Sequence, residues 1–232
     1  MCGRIQAMGF DVGHTLVRYN NPLNWKDLYE PALRRVLAAY QLPENPARLE
    51  AAVRVLLKYN TRENPREYEV SSEVIFQEIF EAWGENHRDF SQAKSAFYGF
   101  FQAEAVCYED AAQTLRELCA RGIRLGFLTD VAYGMDDAYA LQDVAQIAHF
   151  FSAGLTSTNV GFRKPNAAGY EHLARALGVA PCEMLFVGDE EKDILGANRA
   201  GMVPVLIHRS GTAKNWGQAH TISNLDELLT LI

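Results

Sequence analysis

Sulfur and positive charge are both sparse and dispersed in this sequence. Cys2, Cys107, Cys119 and Cys182 are its only cysteines, with no CxxC pair and no histidine at ligand spacing beside them. That pattern gives no disulfide framework and no structural zinc site. The four are expected to be reduced thiols in a cytoplasmic protein, mostly small core fillers. Lys and Arg number 22 against 29 Asp and Glu, a net charge of −7, and no K/R-rich run occurs. Phosphate-backbone binding needs clustered cations, so nucleic acid is not an expected partner. No stretch of roughly 18 apolar residues exists to span a bilayer, so no membrane association is expected. The start, Met1 to Arg4, leads straight into an apolar segment without signal-peptide architecture. Repeats and low-complexity tracts are also missing.

What remains is an ordinary globular balance, 48% hydrophobic and 22% charged over 232 residues. That length suits one large domain, or a core with a smaller one inserted. The apolar run Ile5 to Phe10 reads as a buried strand that stops at Asp11, and a tight turn holding Gly13, His14 and Thr15 follows. From Arg18 to about Ala105 the pattern is helical throughout: Trp25 to Tyr40, Ala47 to Tyr59, then helices capped by Ser71 or Ser72 and by Ser91. After Val106 strands and helices alternate. Strands are expected at Ile123–Leu128, Ala153–Leu155, Met184–Val187 and Val203–Ile207. Helices are expected at Tyr108–Arg121, Met135–Leu141, Asn166–Leu177, Asp193–Ala200 and Leu225–Leu229. This alternation predicts an α/β fold with a Rossmann-like parallel sheet and helices on both faces. The expected division is an α/β core of residues 1–17 and 106–232, with a four-helix cap of residues 18–105 inserted.

Asp11, Thr129, Lys164 and Asp189 each fall just past a predicted strand or on the loop after one. In a parallel sheet those ends share one edge, so the four should converge on a single crevice. Their chemistry suits phosphoryl transfer. A carboxylate can attack phosphorus, a second can hold a hard cation, and a hydroxyl with an ammonium can neutralise phosphoryl oxygens. Taken alone, Thr129 and Asp130 could equally cap a helix, with no further role for Asp130. Asp193 could simply favour a helix N-terminus. Arg163 reads as surface or substrate-side, Glu190 and Glu191 as a solvated acidic face. Trp25, Trp83, Phe97, Phe100 and Phe101 read as cap core rather than substrate surface.

Four segments, in order, resemble the motifs of the haloacid dehalogenase superfamily: Phe10-Asp11-Val12-Gly13-His14-Thr15, Leu125-Gly126-Phe127-Leu128-Thr129, Gly161-Phe162-Arg163-Lys164-Pro165 and Val187-Gly188-Asp189 through Asp193. The helical insert resembles that superfamily's C1-type cap. The resemblance implies a Mg2+-dependent hydrolase with Asp11 as nucleophile and metal ligand. Thr129 would bind phosphate, and Lys164 would steady both nucleophile and phosphate. Asp189 and Asp193, with the Gly13 carbonyl, would serve the metal. The expected reaction is hydrolysis of a small phosphorylated metabolite through an aspartyl-phosphate; the chain could be a monomer or a homodimer.

One position departs from the pattern. Phosphatases of this type carry a second aspartate two residues after the nucleophile, as general acid and base; here Gly13 stands there. Losing such help slows a reaction about 10²–10⁴-fold. Substitutes by residue type are His14, whose imidazole titrates near neutrality, or Tyr19, Asn20, Lys26 or Arg62 from the insert. Two other readings stay open. One is a phosphonate-cleaving relative using Lys26 or Lys58 as a Schiff base; the other is a weakly active or non-catalytic phosphate-binding module. Retention of Asp189 and Asp193 argues against the metal-independent dehalogenases.

Overall fold

The structure, a computed structural model, describes residues 4–22, 24–102, 105–212 and 214–232. Cys2 lies outside them. Strand β1 (Ala7–Phe10) is buried at every residue, as a strand covered by helices on both faces must be. It pairs in parallel with β4 (Arg124–Thr129) on one side and β6 (Met184–Gly188) on the other. The six-stranded sheet runs β5 (Ala153–Thr156), β4, β1, β6, β7 (Val203–Ile207), β8 (His220–Ile222), every neighbour parallel. The chain moves outward from β1 in both directions, so the strand order reverses there and a crevice opens beyond its carboxyl end.

Between β2 (Val17–Tyr19) and β3 (Ala105–Cys107) lie helices α1 (Tyr29–Ala39), α2 (Pro46–Tyr59), α3 (Ser72–Ala82) and α4 (Ser91–Phe101). Local chemistry sets their ends. The Asn45 side chain accepts from the Arg48 amide ahead of Pro46, a residue with no amide to lose at that position. Their apolar faces, among them Tyr29, Leu33, Phe76, Phe80 and Phe97, close one hydrophobic cluster. That cluster also takes in Val131, Tyr133, Met135 and Ala140 from the segment after β4. Backbone pairing also ties the insert to the sheet-bearing part at two places. The antiparallel β2–β3 ribbon is one. The other is a bridge between Tyr68 and Phe162, where the Glu69 amide donates to the Gly161 carbonyl at 3.0 Å.

Of the remaining helices, α5 (Ala111–Ala120), α7 (Ser157–Val160), α8 (Ala167–Leu177) and α9 (Glu191–Arg199) pack on the sheet, whereas α6 (Asp137–Ala140) joins the insert's cluster through Ala140. α8 starts at Asn166, whose side chain accepts from the Ala168 amide, and ends at left-handed Gly178. Several expectations need correction. β2 and β3 enter the stretch read as wholly helical, and β8 follows β7; three-residue strands carry too little periodicity to be seen. The expected first helix is split by a 3₁₀ turn at Trp25–Leu28, and the last is 3₁₀ throughout, Leu225–Thr230. Ser91 is the first residue of α4 rather than its cap; its amide is bound by the Asp89 side chain at 2.8 Å. None of the three described cysteines is a fully buried core filler: Cys119 is exposed, Cys182 is partly exposed, and Cys107 packs against the edge of the sheet's core.

Candidate active site

β1 delivers Asp11 to the crevice. The Asp11 amide still donates to Val187 O of β6 at 2.8 Å, so the ladder reaches the site before the chain turns away. The side chain is buried, and its Oδ1 accepts from Lys164 Nζ at 2.5 Å. The same ammonium donates to Asp193 Oδ1 at 2.6 Å. Asp193 Oδ2 accepts from the Glu190 amide at 3.0 Å, so both its oxygens are engaged and the start of α9 is fixed. Gly188 permits this approach. A Cβ there would stand 2.4 Å from Asp193 Cβ.

Asp189, next in the chain, accepts a long bond from Thr15 Oγ1 at 3.4 Å. Asp11, Asp189 and Asp193 each present a carboxylate oxygen, all within 4.8 Å of one another. Such crowding penalises charge. Burial pushes the Asp11 carboxyl up to about 6, though Lys164 opposes the rise. Burial, then the charges of Asp11, Asp193 and Glu190, push Asp189 to about 8. Three oxygen-donor groups with a single ammonium among them suit a hard divalent cation such as Mg2+, which would let all three ionise together.

Thr129 ends β4 and faces the same cavity, as do Gly13 and His14. Lys164 itself lies beneath that surface, its side chain 1% exposed and held between two carboxylates. The histidine sits at φ 57°, its Nε2 is buried without a partner, and its ring meets Tyr19 edge-on at 5.8 Å. Burial lowers its pKa, against the opposing charge of Glu190. A Cβ placed on Gly13 would lie 3.2 Å from Tyr19 Cε2. Tyr19 therefore occupies space beside the position that lacks a carboxyl, and its hydroxyl donates to Asp143 at 2.8 Å. Lys26 and Lys58 do not line the cavity; they are exposed and paired with Glu63 and Glu78.

Several residues read as bystanders prove integral. Asp130 accepts from the Lys164 amide at 3.0 Å and from Lys192 Nζ at 3.1 Å. Burial opposes its charge, but Lys192, Arg163 and Lys164 outweigh that and hold it well below the usual carboxylate range. Arg163 is buried rather than surface: its guanidinium donates to Glu69 at 2.5 Å and to the Val131 carbonyl at 2.7 Å. Glu190 is no freely solvated acid. It pairs with both Nη atoms of Arg62 and with Lys192; burial opposes its charge, but these cations hold its pKa at about 2. Glu191 is exposed, as expected. Trp83 and Phe97 are buried in the insert's core, whereas Trp25 and Phe101 also line the cavity. The adjacency of Asp130 to Thr129 and of Lys192 to Asp193 was the available signal; nothing local pointed to Glu69 or Asp143.

Comparison with known proteins agrees with this geometry. Residues 5–201 match the family model described as haloacid dehalogenase-like hydrolase. A glyceraldehyde 3-phosphate phosphatase of Methanopyrus kandleri is 42% identical over 103 residues, 44% of this chain and 43% of its own. An (S)-2-haloacid dehalogenase of Pseudomonas sp. is 31% identical over 131 residues, 54% of this chain and 55% of its own. The chain thus spans about half the length of these curated relatives. The crystal structure of a HAD phosphatase from Thermococcus onnurineus superposes with a TM-score of 0.66 at 20% identity, covering 98% of this chain and 97% of that one. With its parallel sheet, its strand-end aspartates and a family match across most of its length, the chain belongs to the haloacid dehalogenase-like hydrolases.

Proposed function

We propose that the protein is a Mg2+-dependent phosphatase acting on a small phosphate monoester. The supporting observation is the buried Asp11–Lys164–Asp193 array with Asp189 beside it, on the floor of a cavity of about 180 Å3. Asp11, Asp189 and the Gly13 carbonyl would hold the ion, with Asp193 in support. The bound ion would neutralise developing charge on the phosphoryl oxygens.

Asp11 attacks phosphorus opposite the leaving oxygen, giving an aspartyl-phosphate that water hydrolyses. The Lys164 ammonium on Oδ1 favours the ionised form of this carboxylate, against the burial that opposes it. Lys164 holds the nucleophile in place and, with Thr129, offsets negative charge as the transition state forms. Residues 18–105 act as a cap that shapes the substrate cavity and limits water access. The similarity to a phosphatase at 42% identity supports this chemistry.

Gly13 favours a second reading, a phosphate-binding module with slow or no turnover. A panel of phosphate esters with and without Mg2+ separates the two. Phosphate release that needs Mg2+ and disappears in Asp11→Asn supports the enzyme. Binding of phosphate compounds without release supports the module.

A further inference from the structure

The cavity's far wall carries a second set of observations, independent of the aspartates. Trp25 stacks flat on Phe101, ring centroids 3.8 Å apart and planes 5° apart, and Tyr133 packs on Trp25 at 5.7 Å. Met135 and Ala140 complete an apolar wall. The volume, about 180 Å3, is on the scale of an apolar cavity of about 150 Å3 that binds benzene.

The charges around this wall are already matched. Among the described residues, the three cations that line the cavity are Arg62, Arg163 and Lys192. Arg62 is bound to Glu190, Arg163 to Glu69, and Lys192 to Asp130 and Glu190. The amides are engaged too. Asn60 donates to Asn24 and Tyr29, and Gln102 to the Tyr139 carbonyl. An anionic group on the leaving portion would find, among the described residues, no lysine or arginine in the cavity that is not already paired, and an unpaired charge in a buried site is strongly disfavoured.

At the reacting end, Gly13 offers no carboxyl, and Tyr19 fills the adjacent space. An alkoxide departs poorly without a proton, whereas a phenolate departs without one. Granting the phosphatase reading above, we propose that the substrate is the phosphate monoester of an uncharged phenol. The Asp11 Oδ–phosphorus bond forms as the phosphorus–aryl oxygen bond breaks. The electron pair leaves on the phenolate, which takes its proton from solvent. Water then attacks the aspartyl-phosphate, restoring the carboxylate, and its proton goes to the departing phosphate.

Steady-state kinetics with Mg2+ on matched esters test this. 4-Methylphenyl phosphate is expected to exceed 4-carboxyphenyl phosphate in kcat/KM by at least about 100-fold, and phenyl phosphate to exceed butyl phosphate by a similar factor. Glu190→Gln releases Arg62 from its partner and should narrow the first ratio; Trp25→Ala should raise KM for phenyl phosphate more than it lowers kcat. Equal or better turnover of the carboxylate-bearing ester, or butyl phosphate matching phenyl phosphate, overturns the assignment while leaving the phosphatase reading intact. No Mg2+-dependent release from any ester removes the phosphatase reading itself, and this inference with it.

Discussion

Replacing Asp189 by asparagine should stabilise the metal-free protein at pH 8. Asp189 is pushed to about 8 by burial and by the charges of Asp11, Asp193 and Glu190, against about 3.9 for an unperturbed aspartate. Because the folded pKa is the higher one, the folded state keeps a proton that the unfolded chain has released. The resulting penalty is absent below about pH 4, grows as pH rises, and is complete above pH 8. Four units at about 1.4 kcal/mol each set a ceiling near 6 kcal/mol. Relaxation and water in the crevice reduce that to about 2 kcal/mol. For a chain this long, that corresponds to a melting temperature roughly 4–8 °C higher. Thermal unfolding with a chelator at pH 5 and pH 8 reads the difference directly, and Asn keeps an oxygen for Thr15. Added Mg2+ should reverse the ranking, since ligand at about 100 times its Kd stabilises by about 2.7 kcal/mol only where a site exists. A variant that melts lower than the parent at pH 8 in chelator, or responds equally to Mg2+, would refute the electrostatic account.

Other substitutions probe neighbouring parts of the site. Gly13→Asp should speed butyl phosphate hydrolysis about tenfold or more, and nitrophenyl phosphate far less, because only the poorer leaving group needs a proton; equal rates for parent and variant would mean protonation does not limit turnover. Lys164→Met removes the ammonium shared by Asp11 and Asp193, so phosphate release should fall at least about 100-fold in a single-turnover assay. Glu69→Gln takes from the buried Arg163 guanidinium the nearer of its two carboxylates, Asp130 remaining at 3.8 Å, and urea unfolding should register a loss of about 1–3 kcal/mol.

The parallel sheet was readable because its strands are apolar runs long enough to show, and because acids or hydroxyls stop them at Asp11, Thr129 and Asp189. The helices expected at Ala47–Tyr59 and Asn166–Leu177 were legible from their periodicity and lie within one residue of the observed Pro46–Tyr59 and Ala167–Leu177. β2, β3 and β8 were not, since three residues carry no period. The pairing of Glu69 with Arg163 joins positions 94 residues apart, and no local pattern encodes it. Asp130 looked like a turn residue because the cations that hold it arrive from elsewhere, Lys192 from α9 and Arg163 from the loop after α7. Tyr19 had the right chemistry to be considered as a substitute at Gly13. Only the fold put its ring against that glycine and its hydroxyl on Asp143.

The most direct measurement is rapid acid quench of the enzyme turning over phenyl phosphate with Mg2+, followed by peptide mass spectrometry. One phosphoryl group on the peptide carrying Asp11, missing in Asp11→Asn together with phosphate release, is the predicted result. Phosphate release that persists in Asp11→Asn, or a phosphoryl group found on another residue, would contradict it.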